Sequence, residues 1–192
     1  FFLPRSGTSF RKVENGIEYY FFTREFPGTR IKNDLDSLND INAGETFTCL
    51  KAGTSFFNNT AEQLDRDENG RLRFSWKKNT ASFNSHMQEA LVKAGHLKPE
   101  ERMIWLTDVA TGNHPRAHGS IYYNEYRNRW VSIRNEVGGS PSYLGEIWYA
   151  EADHYLGPWV YAQKIASHDN YSCYNVCQHP LLAKEGGRKI FF

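Results

Sequence analysis

The sequence predicts an all-β fold assembled from four-stranded antiparallel blades of the β-propeller type, with a short helical insertion. Residues 119–164 read GSIYYNEYRNRWVSI, a turn, then GEIWYAEADHYLGPWVYAQKI, which spells four short strands in succession. Residues 9–78 carry a weaker copy of that pattern, and residues 178–192 repeat its strand, Gly-turn, strand opening. A lone four-stranded sheet leaves two apolar faces in water, so it requires neighbours of its own kind.

In the first blade, strands are expected at 9–13, 17–23, 45–51 and 72–76. Glu14-Asn15-Gly16 and Asp67-Glu68-Asn69-Gly70 supply its hairpin corners, because Asn and Gly accept the left-handed conformation that tight turns require. Residues 80–112 read as an insertion: SHMQEALVKA at 85–94 places Met87, Ala90, Leu91 and Ala94 at helical spacing, and Gly95 follows as a C-terminal cap. Lys98-Pro99-Glu100-Glu101 starts a second helical turn, and Trp105 is the expected anchor of the insertion.

The middle blade, 118–166, gives the clearest signal. Ile121, Tyr123, Trp130, Ile133, Ile147, Tyr149 and Trp159 alternate with polar or smaller neighbours, and Arg127-Asn128, Gly138-Gly139 and Gly157-Pro158 mark the corners. In the incomplete third blade, 178–183 and 188–192 are the expected strands and Glu185-Gly186-Gly187 the turn between them.

A chain of 192 residues with 40% hydrophobic content buries one substantial core, so 1–192 is expected to be a single domain. The Phe1-Phe2 start and the strand-like 189–192 end lead to the expectation of a truncated propeller, a piece of a longer chain with an extracytoplasmic or secreted location. A formal net charge of +1, with both signs interspersed, argues against a nucleic-acid partner. No stretch reaches the roughly 20 apolar residues of a membrane-spanning helix, so no membrane partner is expected. The three cysteines, Cys49, Cys173 and Cys177, offer neither a disulfide framework nor zinc-ligand spacing and read as free thiols.

The motif AEAD, a small turn, then LGPW at 150–159 resembles the five-bladed propellers of the arabinanase, β-xylosidase and levansucrase type. More closely, the chain is similar to a bacterial propeller family related to them and without an assigned substrate. Runs that carry this likeness are FTCLKAG at 47–53, LDRD at 64–67, GHLKPE at 95–100, RAHGS at 116–120 and WYAEA at 148–152. The likeness covers nearly all of 15–192 and implies a five-bladed fold more strongly than an activity. Around 171–180 the family pattern has Phe and Pro where this chain has Cys173 and Val176-Cys177, so no special role is carried over to the cysteines.

In a propeller, polar residues near the start of the innermost strand converge on an axial funnel. These are Arg116, His118 and Ser120 in the middle blade, then His168, Asp169, Tyr174, Asn175 and His179 in the next. Glycoside hydrolysis needs two carboxyl groups, an acid and a base or nucleophile. Glu146 is the candidate acid and Asp169 the candidate base, with Glu136 and Asp153 as further options; the bland alternatives are a solvated Glu146, or one paired with Arg134, and an Asx turn at Asp169. Tyr143 and Tyr174, beside loops, are favoured for stacking on a sugar ring, whereas Trp130, Trp148, Trp159 and Tyr122 read mainly as packing. No cofactor is expected, an axial divalent cation held by His118, Asp169 and His179 being the alternative.

These residues point to a glycoside-hydrolase-like propeller that binds carbohydrate in its funnel and hydrolyses a glycosidic bond through Glu146 and Asp169. Arg116, His118, Tyr143, His168, Tyr174, Asn175 and His179 would hold the sugar. The alternatives are a propeller that binds carbohydrate without turnover and a protein-interaction scaffold.

Overall fold

The computed structural model describes residues 9–22, 28–55, 58, 60–83 and 85–192. It is mostly β, and the chain forms two compact units that meet in sequence between Arg102 and Met103. Each unit is built on one five-stranded sheet, where the sequence led us to expect four strands per blade.

The first sheet is an antiparallel meander of β1 (Ser9–Glu14), β2 (Ile17–Phe22), β3 (Thr29–Lys32), β4 (Glu45–Thr48) and β5 (Ser75–Lys78), in that order. Asn15 and Gly16 both have positive φ, 52° and 77°, and form the two-residue turn that matches the twist of β1 and β2. Thr23, the expected end of the second strand, lies outside the described residues. The added strand β3 carries Arg30, whose guanidinium lies 4.2 Å from the Tyr19 ring centre and 4.6 Å from that of Trp76. Glu45 and Glu14 each accept a hydrogen bond from it at 2.7 Å, so the charge is neutralised within an aromatic sheet.

Phe21, Ile31, Leu50, Leu64 and Phe83 form the buried interior of this unit. The expected helix is α2 (Ser85–Lys93), preceded in the chain by the short α1 (Leu35–Asn39), which Asp34 caps through the Ser37 amide. At the end of α2, His96 N–H donates to the Leu91 carbonyl and Gly95 N–H to that of Val92. With Gly95 at φ 73°, this is the glycine-terminated helix end the sequence led us to expect. Leu91 and Leu97 are buried on either side of that cap.

The second sheet runs β6–β10–β9–β8–β7, with β6 (Ile104–Asp108), β7 (Ala117–Asn124), β8 (Arg129–Glu136), β9 (Ile147–Ala152) and β10 (Trp159–Ala166). Strands β7 to β10 are the antiparallel meander read from the alternation, whereas β6 joins β10 in parallel. The expected insertion at 80–112 therefore ends in a sheet strand, and Trp105 sits on that strand with its ring 4.1 Å from His114. Trp130 through Asn135 of β8 are all buried, and Trp130 packs on Tyr155 with ring centres 5.4 Å apart.

The expected third-blade strands are replaced by short 3-10 turns at Pro180–Leu182 and Glu185–Gly187, joined by a single bridge between Lys184 and Lys189. Pro180 has no N–H to give a ladder, and the preceding Gln178 is already held by β7, its N–H donating to Ser120 Oγ at 2.8 Å. This segment instead lays Cys173, Val176 and Ile190 against the buried cluster of Val131, Ile133 and Ile147.

Strand β7 comes so close to β8 that a Cβ on Gly119 would lie 2.0 Å from the Ile133 carbonyl oxygen and 2.8 Å from Arg134 Cα. Both neighbours are backbone, so the strands would have to part. Gly119→Ala is expected to cost about 3 kcal/mol in urea unfolding, and a variant as stable as the parent would refute this close approach.

Candidate functional site

The meander sends β7 out from, and brings β8 back to, the same end of the second sheet at which β9 begins and β10 ends. Arg116, His118, Glu136, Glu146 and 167–169 are thereby gathered at that end. Two loops extend it, residues 137–146 and 167–177, and hydrogen bonds lace them together. His168 N–H donates to the Gly145 carbonyl at 3.1 Å, and Cys173 N–H donates to that of Leu144 at 3.0 Å. Ser142 Oγ donates to the Tyr171 carbonyl at 3.1 Å. A Cβ on Gly145 would lie 2.2 Å from the His168 carbonyl oxygen, so the loops approach at a distance that only glycine allows.

The laced loops turn aromatic side chains outward. Tyr143 is 63% exposed and Tyr174 80% exposed, and Tyr171 is equally open beside His168, its ring 5.1 Å away. Asn175, at φ 57°, reverses the chain just beyond Tyr174. Asp169 is exposed, and its Oδ1 accepts a 3.4 Å hydrogen bond from the Asn170 side chain. The structure thus brings together eight of the nine nominated residues in the sense that all lie at this end or on its loops: Arg116, His118, Tyr143, Glu146, His168, Asp169, Tyr174 and Asn175.

Glu146 departs from the role expected of it. Its carboxylate is fully buried; Lys164 Nζ lies 2.7 Å from Oε2, and Ser167 Oγ donates to Oε1 at 2.8 Å. Neighbouring Glu136 accepts from Trp148 Nε1 at 2.7 Å, and Gly139 covers both acids: a Cβ there would sit 3.1 Å from Glu146 Cγ and 3.4 Å from Glu136 Cδ. An acid that protonates a leaving group must reach the substrate oxygen. Glu146 reaches Lys164 and Ser167 instead, and holds the ends of β9 and β10 together. Arg134 is buried on β8 and donates to the Ala117 carbonyl at 3.0 Å; burial pulls its guanidinium down to about 10, which leaves it charged at neutral pH.

His179 stands apart from the other eight. It lies beside a cleft of about 270 Å3 between β7 and the C-terminal turns, and its N–H donates to the Phe191 carbonyl at 2.8 Å. Among the described residues no three His, Cys, Asp or Glu side chains are grouped to hold a metal ion, so His118, Asp169 and His179 do not form the axial site considered above. Trp130, Trp148 and Trp159 are buried, in keeping with packing. Cys49 is also buried, and burial pushes its thiol up to about 12. Cys173 and Cys177 are free thiols of intermediate exposure.

Sequence reasoning missed Lys164 and Ser167 as partners of Glu146, and Tyr171 as a member of the aromatic group. Lys164 had a usable signal, since it is a charge at the end of a strand paired with the one that Glu146 opens. Searches against family models, curated proteins and solved structures return no match to this chain.

Removing the two partners of the buried pair should have unequal effects. Lys164→Ala strands a carboxylate with no access to water, whereas Glu146→Gln leaves an ammonium that is already 41% exposed. Lys164→Ala is expected to cost about 3 kcal/mol and Glu146→Gln about 1 kcal/mol by urea unfolding. The reverse order would show that the carboxylate is solvated.

Proposed function

We propose that the chain is part of a β-propeller, each five-stranded sheet corresponding to a blade, and that it binds carbohydrate without cleaving it. The observation that carries this reading is the pair of laced loops, which presents Tyr143, Tyr171 and Tyr174 to solvent beside His168 and Asp169. Sugar rings offer C–H faces that stack on aromatic side chains, and their hydroxyls pair with polar groups at the rim. Arg116, His118 and Asn175 supply such groups at the same end. The resemblance to five-bladed sugar-processing propellers supports the same class of ligand.

Binding is favoured over hydrolysis by the state of the carboxylates. Hydrolysis uses two carboxyl groups about 5 to 9.5 Å apart and both open to the sugar. Asp169 is open, but Glu146 is enclosed by Lys164 and Ser167. A protein scaffold is a weaker reading, because the loop end mixes polar and aromatic groups and has no broad apolar face.

Calorimetry against neutral xylo-, arabino- and gluco-oligosaccharides tests the proposal. Tyr174→Ala and Tyr143→Ala are each expected to weaken binding about tenfold, the equivalent of about 1.4 kcal/mol. Absence of binding to every sugar would overturn it. Release of reducing ends by the parent and not by Asp169→Asn would replace it with hydrolysis.

A further inference from the structure

The cleft beside His179 belongs to none of the loop-end machinery, and its walls are set before any ligand arrives. Gln178 is pinned on one side: its N–H donates to Ser120 Oγ at 2.8 Å and its Nε2 to the Val131 carbonyl at 3.0 Å. Asn124 Nδ2 donates to the Gly187 carbonyl at 2.8 Å on the other side, and its Oδ1 accepts from Arg127 N–H at 2.9 Å. Gly187 adopts φ 98°, and a Cβ there would come within 3.0 Å of the Asn124 amide. The C-terminal turns are therefore clamped to β7 at both ends of an open space of about 270 Å3, enough for one sugar ring.

The lining has the chemistry of a neutral, hydroxyl-bearing ligand. Its single carboxylate is Glu125, and neither Lys nor Arg lines it. An anion would meet Glu125 without a cation to offset it. A cation would approach past Lys184, Arg188 and Lys189 on the same C-terminal segment, which carries only Glu185 against them. A neutral ring avoids both penalties. It would find a strong hydroxyl acceptor in Glu125, a second polar partner in the exposed His179, and a flat apolar surface in Tyr123, which is 46% exposed.

We propose that this cleft is a second carbohydrate site, separate from the tyrosine-bearing loops, which holds one neutral sugar ring against Tyr123 with its hydroxyls on Glu125 and His179. The ligand class rests on the reading given under Proposed function, whereas the location does not. A chain with two such sites could hold two stretches of one polysaccharide and gain avidity from a pair of weak contacts.

Amide NMR titration of the protein with D-xylose and D-glucose, and with lysine and inorganic phosphate as charged probes, tests the site. The neutral sugars are expected to shift the amides of 122–125 and 186–187, and Glu125→Gln should raise the dissociation constant at these amides about tenfold. Tyr123→Ala should do the same, with Glu125→Gln as the variant that leaves the hairpin side-chain packing intact. Tyr174→Ala should leave the cleft titration unchanged. Shifts confined to 137–146 and 167–177 would overturn the second site while leaving the loop site standing. Absence of shifts at both places with either sugar would overturn both, and a stronger cleft response to lysine or phosphate would overturn the ligand class.

Discussion

Strand β8 has no face turned to water, and the second unit is organised by that constraint. Trp130 through Asn135 are buried in unbroken succession, so side chains pointing in both directions must find partners. Val131 and Ile133 meet the apolar residues of the C-terminal segment. On the opposite face Arg134 stands in register with Gly119 and Trp148. A slip of one residue would exchange these two sets and drive a guanidinium into the aliphatic cluster, an error costly enough to fix the pairing. The loop end inherits this precision. Asn135 Nδ2 donates to the Leu144 carbonyl at 2.7 Å, which anchors the first loop, and the first loop anchors the second through the bonds of Ser142, Leu144 and Gly145.

The first unit solves a different problem, that of placing a charge in an aromatic sheet. Arg30 lies between Tyr19 and Trp76 and satisfies Glu14 and Glu45 at once, so it ties β1, β2, β4 and β5 to β3 with one side chain. Lysine could not replace it without loss, because only the planar guanidinium offers flat faces to rings and in-plane donors to carboxylates together. Around it, Phe21 and Phe47 each pack on Trp76, at 5.7 Å and 5.2 Å between ring centres.

What the sequence made legible follows from how local each signal is. The alternation over 119–164 and the Asn15-Gly16 turn are local, and the structure forms the strands and the turn where they were read. Strand β3 is four residues long with one buried residue, Ile31, too short for a period to show. Strand β6 exists through its parallel pairing with β10, a partner some fifty residues away, which no local pattern reveals. At 178–183 the apolar residues resembled a strand, but Pro180 and the hold of Ser120 on Gln178 decided otherwise. The candidate site divides in the same way. Tyr143 and Tyr174 were legible because turn residues surround them, whereas the enclosure of Glu146 depends on Lys164 and Ser167 folding back from beyond the next corner.

The outer strands of the first sheet carry a consequence for behaviour in concentrated solution. Strand β1 has Arg11 and Lys12, and β5 has Lys77 and Lys78, so each margin of the ladder is cationic. Of these, Lys77 is neutralised by Asp65 at 2.7 Å, while Lys78 stays exposed. Two copies that brought such margins together would set like charges opposite each other across a new ladder. The sheet thus resists growth into fibrils by repulsion at its own borders, and added salt, which screens that repulsion, weakens the protection.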